Sequence, residues 1–196
     1  DILPPPKGTG ANNFMTAVTK VDEDLVQIID VEHVLSDIMN LSTDISDGLI
    51  EEGQTSAGKH ILIADDSSVA RNQIKRTIEQ LGVECTIVND GREALDTLIA
   101  WAKEGPISEK VDMVISDIEM PEMDGYTLTA EIRDNPQLQG LYVLLHSSLS
   151  GVFNSAMVEK VGANEFIAKF SADDLGRAVI DRLEKICGPG EIAANI

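Results

Sequence analysis

The sequence is poor in cysteine: Cys85 and Cys187 are its only two thiols in 196 residues, far apart, with no Cys-x-x-Cys pair or Cys/His cluster. That excludes a disulfide scaffold and a thiolate-held metal, and a reducing compartment is expected. Basic residues are scarce as well, 15 Lys and Arg against 34 Asp and Glu, for a formal net charge of −19. Nucleic acid and anionic membranes both need clustered Lys and Arg, so neither is expected as a partner. An acidic excess suits a cation-binding pocket, a basic partner or a merely solvated surface. No apolar run reaches the length of a membrane span and no signal-peptide pattern opens the sequence, so a cytoplasmic location without membrane insertion is expected. The sequence starts at Asp1 in mid-pattern and reads as part of a longer protein.

What is present is an ordinary apolar fraction of 43%, in a length that suits one full domain plus an appendage. From Lys59 onward the pattern alternates strictly. Short apolar runs "KHILIAD" (59–65), "VECTIV" (83–88), "VDMVIS" (111–116), "LYVLLHS" (141–147) and "NEFIAKF" (164–170) read as strands. Between and after them come amphipathic helices: 68–82 with Val69, Ile74, Ile78 and Leu81 at helical spacing and Gly82 as cap, then 91–105, 124–135, 151–162 and 171–187. Ser171 and Asp174 stand at capping-box spacing before the last helix. Five strand–helix units predict an α/β fold: a doubly wound five-stranded parallel sheet, (βα)5, covered on both faces. Ligands of such sheets bind beyond the carboxyl ends of the strands.

Residues 1–58 differ. "PPP" at 4–6 is an extended lead-in, "NFMTAVTKV" and "LVQIID" read as a hairpin joined by "DED", and "VEHVLSDIMN" (31–40) reads as a short helix. The stretch 41–58 is polar, acidic and contains Gly and Ser, as a linker would. The expected division is 1–40, a linker at 41–58, a main domain at 59–188 and a tail at 189–196. A lone hairpin cannot bury enough surface to be stable by itself, so it is expected to pack its apolar face on the main domain or a second copy of the chain, or to be poorly ordered.

The strand ends carry the chemistry. The first strand ends at Asp65-Asp66, the third at Asp117, the fourth at Ser147-Ser148 and the fifth at Lys169. In a doubly wound sheet these converge on one cleft. Three carboxylates a few Å apart cannot all stay ionised without compensation. A hard cation with oxygen ligands, Mg²⁺ before others, is the natural remedy. With Lys169 the three acids would come near neutrality. Such a cleft suits phosphoryl acceptance, with Asp117 as a carboxylate nucleophile, Ser147 as hydrogen-bond donor and Lys169 as the cation facing the transferred oxygens.

"ILIADDS", "DMVISDIEMPEMDG", "LLHSS" and "FIAKF" resemble, in order and spacing, the response-regulator receiver domain over roughly 59–188. The resemblance implies a flavodoxin-like fold with strand order 2-1-3-4-5. It implies that a histidine kinase phosphorylates Asp117, and that Asp65, Asp66, Asp117 and the backbone carbonyl of Glu119 bind Mg²⁺. It also makes Ser147 and Phe166 the switch positions. Such a domain is a stoichiometric phosphoacceptor with slow self-dephosphorylation, not a turnover enzyme. The hairpin and short helix resemble the end of a CheW-like coupling domain. Together the two resemblances are to the CheV-type coupling proteins of bacterial chemotaxis, implying a chemotaxis histidine kinase and a chemoreceptor array as partners, with self-association through the hairpin as a further expectation.

This chain departs from the pattern at Lys169-Phe170, where the family has Lys-Pro, and in a longer connection, "AWAKEGPISEK". The altered loop leaves open an adaptor whose receiver holds metal but no longer cycles phosphate. An aspartate-nucleophile phosphohydrolase fits less well, because such enzymes carry Asp-x-Asp after the first strand. Asp65-Asp66 could be helix caps only, Asp124-Gly125 reads as a turn and helix start, and Phe166 could be core. Ser148 and Glu119 flank the expected water path. His33, His60 and His146 form no catalytic or metal set, although His146 adjoins Ser147. The methionines at 113, 120, 123 and 157 read as packing.

Overall fold

The structure, a computed structural model, describes residues 2–3, 15–21, 24–29, 34, 44–53, 58–147, 152–169 and 171–187. The chain divides into two compact units, residues 1–41 and 42–196.

In the first unit β1 (Ile2–Leu3), β2 (Met15–Val21) and β3 (Asp24–Ile29) form an antiparallel sheet in that order. The hairpin β2–β3 is the expected one, whereas the β1 pairing of Ile2 with Thr19 and Leu3 with Val18 joins segments too distant in sequence for local pattern to reveal. Val21, Leu25, Val26 and Ile29 are exposed. Apart from Val34, the short helix expected over 31–40 lies outside the described residues.

The second unit opens with α1 (Asp47–Gly53), inside the stretch expected to be a linker. Its composition is polar, yet Ile45 and Leu49 are one helical turn apart and both are buried. They join the core formed by Leu175, Val179 and their neighbours. The alternating units follow: β4 (His60–Ala64), α2 (Ser68–Glu79), β5 (Glu84–Val88), α3 (Gly91–Glu104), β6 (Met113–Ser116), α4 (Gly125–Asp134), β7 (Tyr142–Ser147), α5 (Val152–Val161), β8 (Glu165–Ala168) and α6 (Ala172–Cys187). A single 3₁₀ turn at Ile107–Glu109 lies in the long connection before β6. All five strands are parallel, in the order β5-β4-β6-β7-β8. This is the doubly wound sheet expected, with the order 2-1-3-4-5 that the family resemblance implied.

Strand alternation sorts the core into two layers. Leu62, Ala64, Val114, Val143 and Leu145 join Leu95, Leu98, Leu128 and Ile132 of α3 and α4. Ile61, Ile63, Met113, Ile115 and Leu144 join Ile74 and Ile78 of α2 and Leu175, Val179 and Leu183 of α6, with Ile45 and Leu49 at its margin. Burying each such side chain contributes roughly 1.5–3 kcal/mol. With both faces covered, the strands can present polar groups to solvent only at their ends, which is where the acids stand.

Gly176 marks where α1 comes close. A Cβ there would lie 3.3 Å from Ile45 Cγ2. The Ser46 amide donates to Asp173 Oδ1 at 2.8 Å, and the Ile45 amide donates to Gln80 Oε1 at 3.2 Å. The stretch before β4 is thus partly structured, held by two apolar side chains that its acidic composition obscured.

Candidate functional site

Three strands deliver the charged residues. Asp65 directly follows β4 and Asp117 directly follows β6, the Asp117 amide donating to the Ala64 carbonyl at 2.8 Å. Lys169 directly follows β8, its amide donating to the Ser147 carbonyl at 2.9 Å. The Lys169 ammonium lies 3.0 Å from Asp65 Oδ2 and 3.1 Å from Asp117 Oδ2, and all three side chains are buried. Carboxylate oxygens of Asp65, Asp66 and Asp117 lie within 4.8 Å of one another, with Asp66 exposed at the rim.

Hydrogen bonds orient the two buried acids. Asp65 Oδ1 accepts from the Ser67 amide at 2.8 Å, and Asp117 Oδ1 accepts from the Ile118 amide at 2.7 Å. Ser67, not Asp65 or Asp66, caps α2, its hydroxyl accepting from the Ala70 amide. Capping therefore does not account for the two acids. Arg71 was not singled out by sequence, yet its guanidinium donates to the Asp65 carbonyl at 2.6 Å. The only sequence signal was its place as the first basic residue after the acid pair.

The loop from Asp117 to Asp124 is shaped by close approach. The Gly125 amide donates to the Ile118 carbonyl at 2.9 Å, and a Cβ at Gly125 would collide with the Asp117 carbonyl. Asp124 caps α4 by accepting from the Thr127 amide at 2.7 Å, so Asp124-Gly125 is the turn and helix start that was expected. At Gly91 a Cβ would lie 2.5 Å from the Met123 carbonyl, so the start of α3 clamps the other side of the loop. Glu119 lies in this loop with its side chain exposed.

Burial and the neighbouring Asp65 charge push the Asp117 carboxyl up, and Lys169 opposes them; its pKa stands at about 7, with burial the largest cause. An added cation would relieve the same charge crowding. Three carboxylates with one ammonium leave two negative charges, the complement of a divalent ion. The oxygen-only donor set and the crowding of the three acids, two of them buried, fit Mg²⁺. The residues here are those that would hold it.

Ser147 is buried at the end of β7. Phe166, in β8, packs against the layer of α3 and α4 and pairs in register with Leu145. Ser148 and Phe170 lie outside the described residues, and so does the Lys169–Phe170 loop. His60 stands at the opposite end of the sheet, where its Nδ1 meets the Lys110 carbonyl at 2.6 Å and its Nε2 meets Thr86 Oγ1 at 2.9 Å. Among the described residues, no helix is long and apolar enough to cross a membrane.

A family model described as the response regulator receiver domain matches residues 61–181. The chain is 28% identical over 181 residues to the chemotaxis protein CheV1 of Helicobacter pylori, covering 90% of this chain and 55% of that protein. It is 32% identical over 167 residues to CheV2 of the same organism, covering 83% of this chain and 51% of that protein. The chain thus spans about half the length of these relatives. Among solved structures it resembles the receiver domain of a sensor histidine kinase from Pseudomonas aeruginosa, crystallised with a magnesium ion coordinated in the active-site cleft. That match has 25% identity and a TM-score of 0.56, and covers 65% of this chain and 98% of the other.

Proposed function

This chain belongs to the response regulator receiver domain family, and on that premise we propose that Asp117 accepts a phosphoryl group from a histidine kinase and passes the signal on through protein–protein contacts. The observation that carries the reading is the placement of Asp117. Its Oδ2 faces the Lys169 ammonium at 3.1 Å, and its carboxylate shares a cluster with those of Asp65 and Asp66.

A carboxylate oxygen of Asp117 attacks the donor's phosphorus. The bond from phosphorus to the donor nitrogen breaks, and its electron pair leaves with the imidazole. The product is an acyl phosphate on Asp117. Lys169 holds the Asp117 carboxylate in its ionised, attacking form against the pull of burial, then faces the oxygens that arrive. Ser147 donates a hydrogen bond to one of them. Asp65, Asp66, Asp117 and the Glu119 carbonyl would hold Mg²⁺, which when bound supplies neutralisation of the phosphoryl oxygens. Later, water attacks the phosphorus, the bond to the Asp117 oxygen breaks, and inorganic phosphate leaves. The chain is a stoichiometric acceptor with slow self-dephosphorylation.

Rearrangement of Ser147 and Phe166 is the proposed readout. The similarity to CheV proteins over both units supports a chemotaxis kinase and receptor array as partners, met through the CheW-like hairpin part. A charge of −19 speaks against nucleic acid as the target.

Incubation with acetyl phosphate and Mg²⁺ should add one phosphoryl group to the wild-type chain and none to Asp117→Asn. Equal labelling of the variant would overturn the assignment. Tight Mg²⁺ binding without phosphorylation by any small donor would instead mark an adaptor that no longer cycles.

A further inference from the structure

In β7 the residues Val143, Leu144 and Leu145 are fully buried, as a strand covered on both faces requires, and His146 continues the run at only 5% exposure. It shares Leu144's face of the sheet, the one that packs on α2 and α6. It pairs in register with Ile167, two residues before Lys169. One step beyond the last paired residues, Ala64 with Ser116 and Ser116 with Leu145, the side chains of Asp65, Asp117 and His146 come level across three neighbouring strands. Adjacent strands are about 4.8 Å apart, so the imidazole flanks Asp117 from the strand opposite Asp65.

The His146 Nδ1 atom is buried and has no hydrogen-bond partner. A buried polar atom in that condition is destabilising, and a leucine would fill the row without that penalty. Burial first, and the Lys169 ammonium second, hold the ring's pKa down at about 3, so the imidazole is neutral. A neutral imidazole offers one lone pair and one N–H, and no charge to upset the balance beside it.

We propose that His146 is a positioning residue for Lys169: when Asp117 becomes an acyl phosphate, His146 Nδ1 accepts a hydrogen bond from the Lys169 ammonium and keeps it against the phosphoryl group. This rests on Asp117 being the phosphoacceptor. In the unmodified chain the ammonium lies between two carboxylates. Phosphorylation removes the charge of one of them and adds phosphoryl oxygens further out. The Lys169 backbone is tied to Ser147, the residue next to His146, so the ammonium answers by movement of the side chain alone. A neutral acceptor under it is what the new arrangement lacks. A third carboxylate would compete with the phosphoryl group, and an aliphatic residue could accept nothing. With Nδ1 accepting, the ring proton resides on Nε2.

The test compares the wild-type chain with His146→Leu, which keeps the bulk, and His146→Gln, which keeps an acceptor. Acetyl phosphate and Mg²⁺ are the phosphorylation conditions. In parallel, the imidazole nitrogens of ¹⁵N-histidine-labelled wild-type protein are followed by NMR as Mg²⁺ and then beryllium fluoride, a phosphoryl mimic, are added. Phosphorylation of His146→Leu should slow about tenfold or more, the effect of losing one hydrogen bond to a charged group. His146→Gln should recover most of the rate, and the Nδ1 resonance should move with beryllium fluoride but not with Mg²⁺ alone. An unmoved Nδ1 resonance and a wild-type rate in His146→Leu would overturn the proposal and leave Asp117 as acceptor. A wild-type chain that neither takes phosphate nor binds beryllium fluoride would overturn both. Should His146→Leu fail to fold, the wild-type resonance decides alone.

Discussion

His60 opens the first strand of the parallel sheet and His146 stands near the end of its fourth, each in a strand of buried aliphatic residues. At the amino end of the sheet polar groups are matched. Both nitrogens of His60 have partners, its ring lies 5.4 Å from that of Trp101, and Asp112 accepts from the His60 amide at 2.9 Å while pairing with Lys59 at 3.4 Å. At the carboxyl end three acids crowd one ammonium, the Asp117 carboxyl is pushed up to about 7, and His146 has an unpartnered nitrogen. One sheet therefore holds two kinds of polar cluster. The satisfied one serves the fold, and the other keeps crowded charge and an unpartnered atom at the place where the proposed cation and phosphoryl group would bind. Local rules are broken where function resides.

The comparison can be broken most severely at Lys169. Lys169→Met leaves Asp65 and Asp117 buried with no ammonium between them, and removing one partner of a buried pair costs about 3–5 kcal/mol. Chemical denaturation without divalent cation should show a loss of that size, with Mg²⁺ restoring part of it. Loss of stability unaffected by Mg²⁺ would argue against a cation site.

A smaller effect belongs to Asp117 and pH. Its folded pKa, about 7, lies above the ordinary aspartate value of 3.8, so the folded chain binds this proton more tightly than the unfolded one. The resulting stability is fully present below about pH 4 and is lost as pH rises through 7. At about 1.4 kcal/mol per pKa unit the loss amounts to a few kcal/mol. Asp117→Asn should flatten that slope in a denaturation series from pH 4 to 8. A slope unchanged in the variant would assign the effect to other groups.

The smallest effect is expected at the satisfied end. His60→Ala removes two side-chain hydrogen bonds and the ring contact with Trp101 and should cost about 1–3 kcal/mol, while phosphorylation by acetyl phosphate proceeds at the wild-type rate. A slowed reaction in this variant would show that the two ends are coupled.

Much of this was legible in the sequence, for a physical reason. A parallel sheet covered on both faces demands continuous apolar runs, and those runs, with glycine caps and amphipathic helices between them, locate the five strands and the five helices that follow them to within a few residues, but not α1. The acids at the strand ends stood out because nothing apolar could explain them. What escaped was non-local. The burial of Ile45 and Leu49 depends on Gly176, more than 120 residues away, and the β1 pairing depends on residues 18 and 19. Arg71 looked like any solvent-facing base until the turn of β4 into α2 brought it to the Asp65 carbonyl. His146 stands out in the sequence only as the neighbour of Ser147, because its unpartnered nitrogen and its level with Asp117 exist only in the assembled sheet.

Locating the modification tests directly whether Asp117 is the phosphorylated residue. After acetyl phosphate and Mg²⁺ treatment, borohydride reduces an acyl phosphate at an aspartate to homoserine, and the change is read by peptide mass spectrometry. Homoserine is expected at position 117 alone. Conversion at Asp65 or Asp66, or a phosphate that resists borohydride on Ser147 or Ser148, would contradict it.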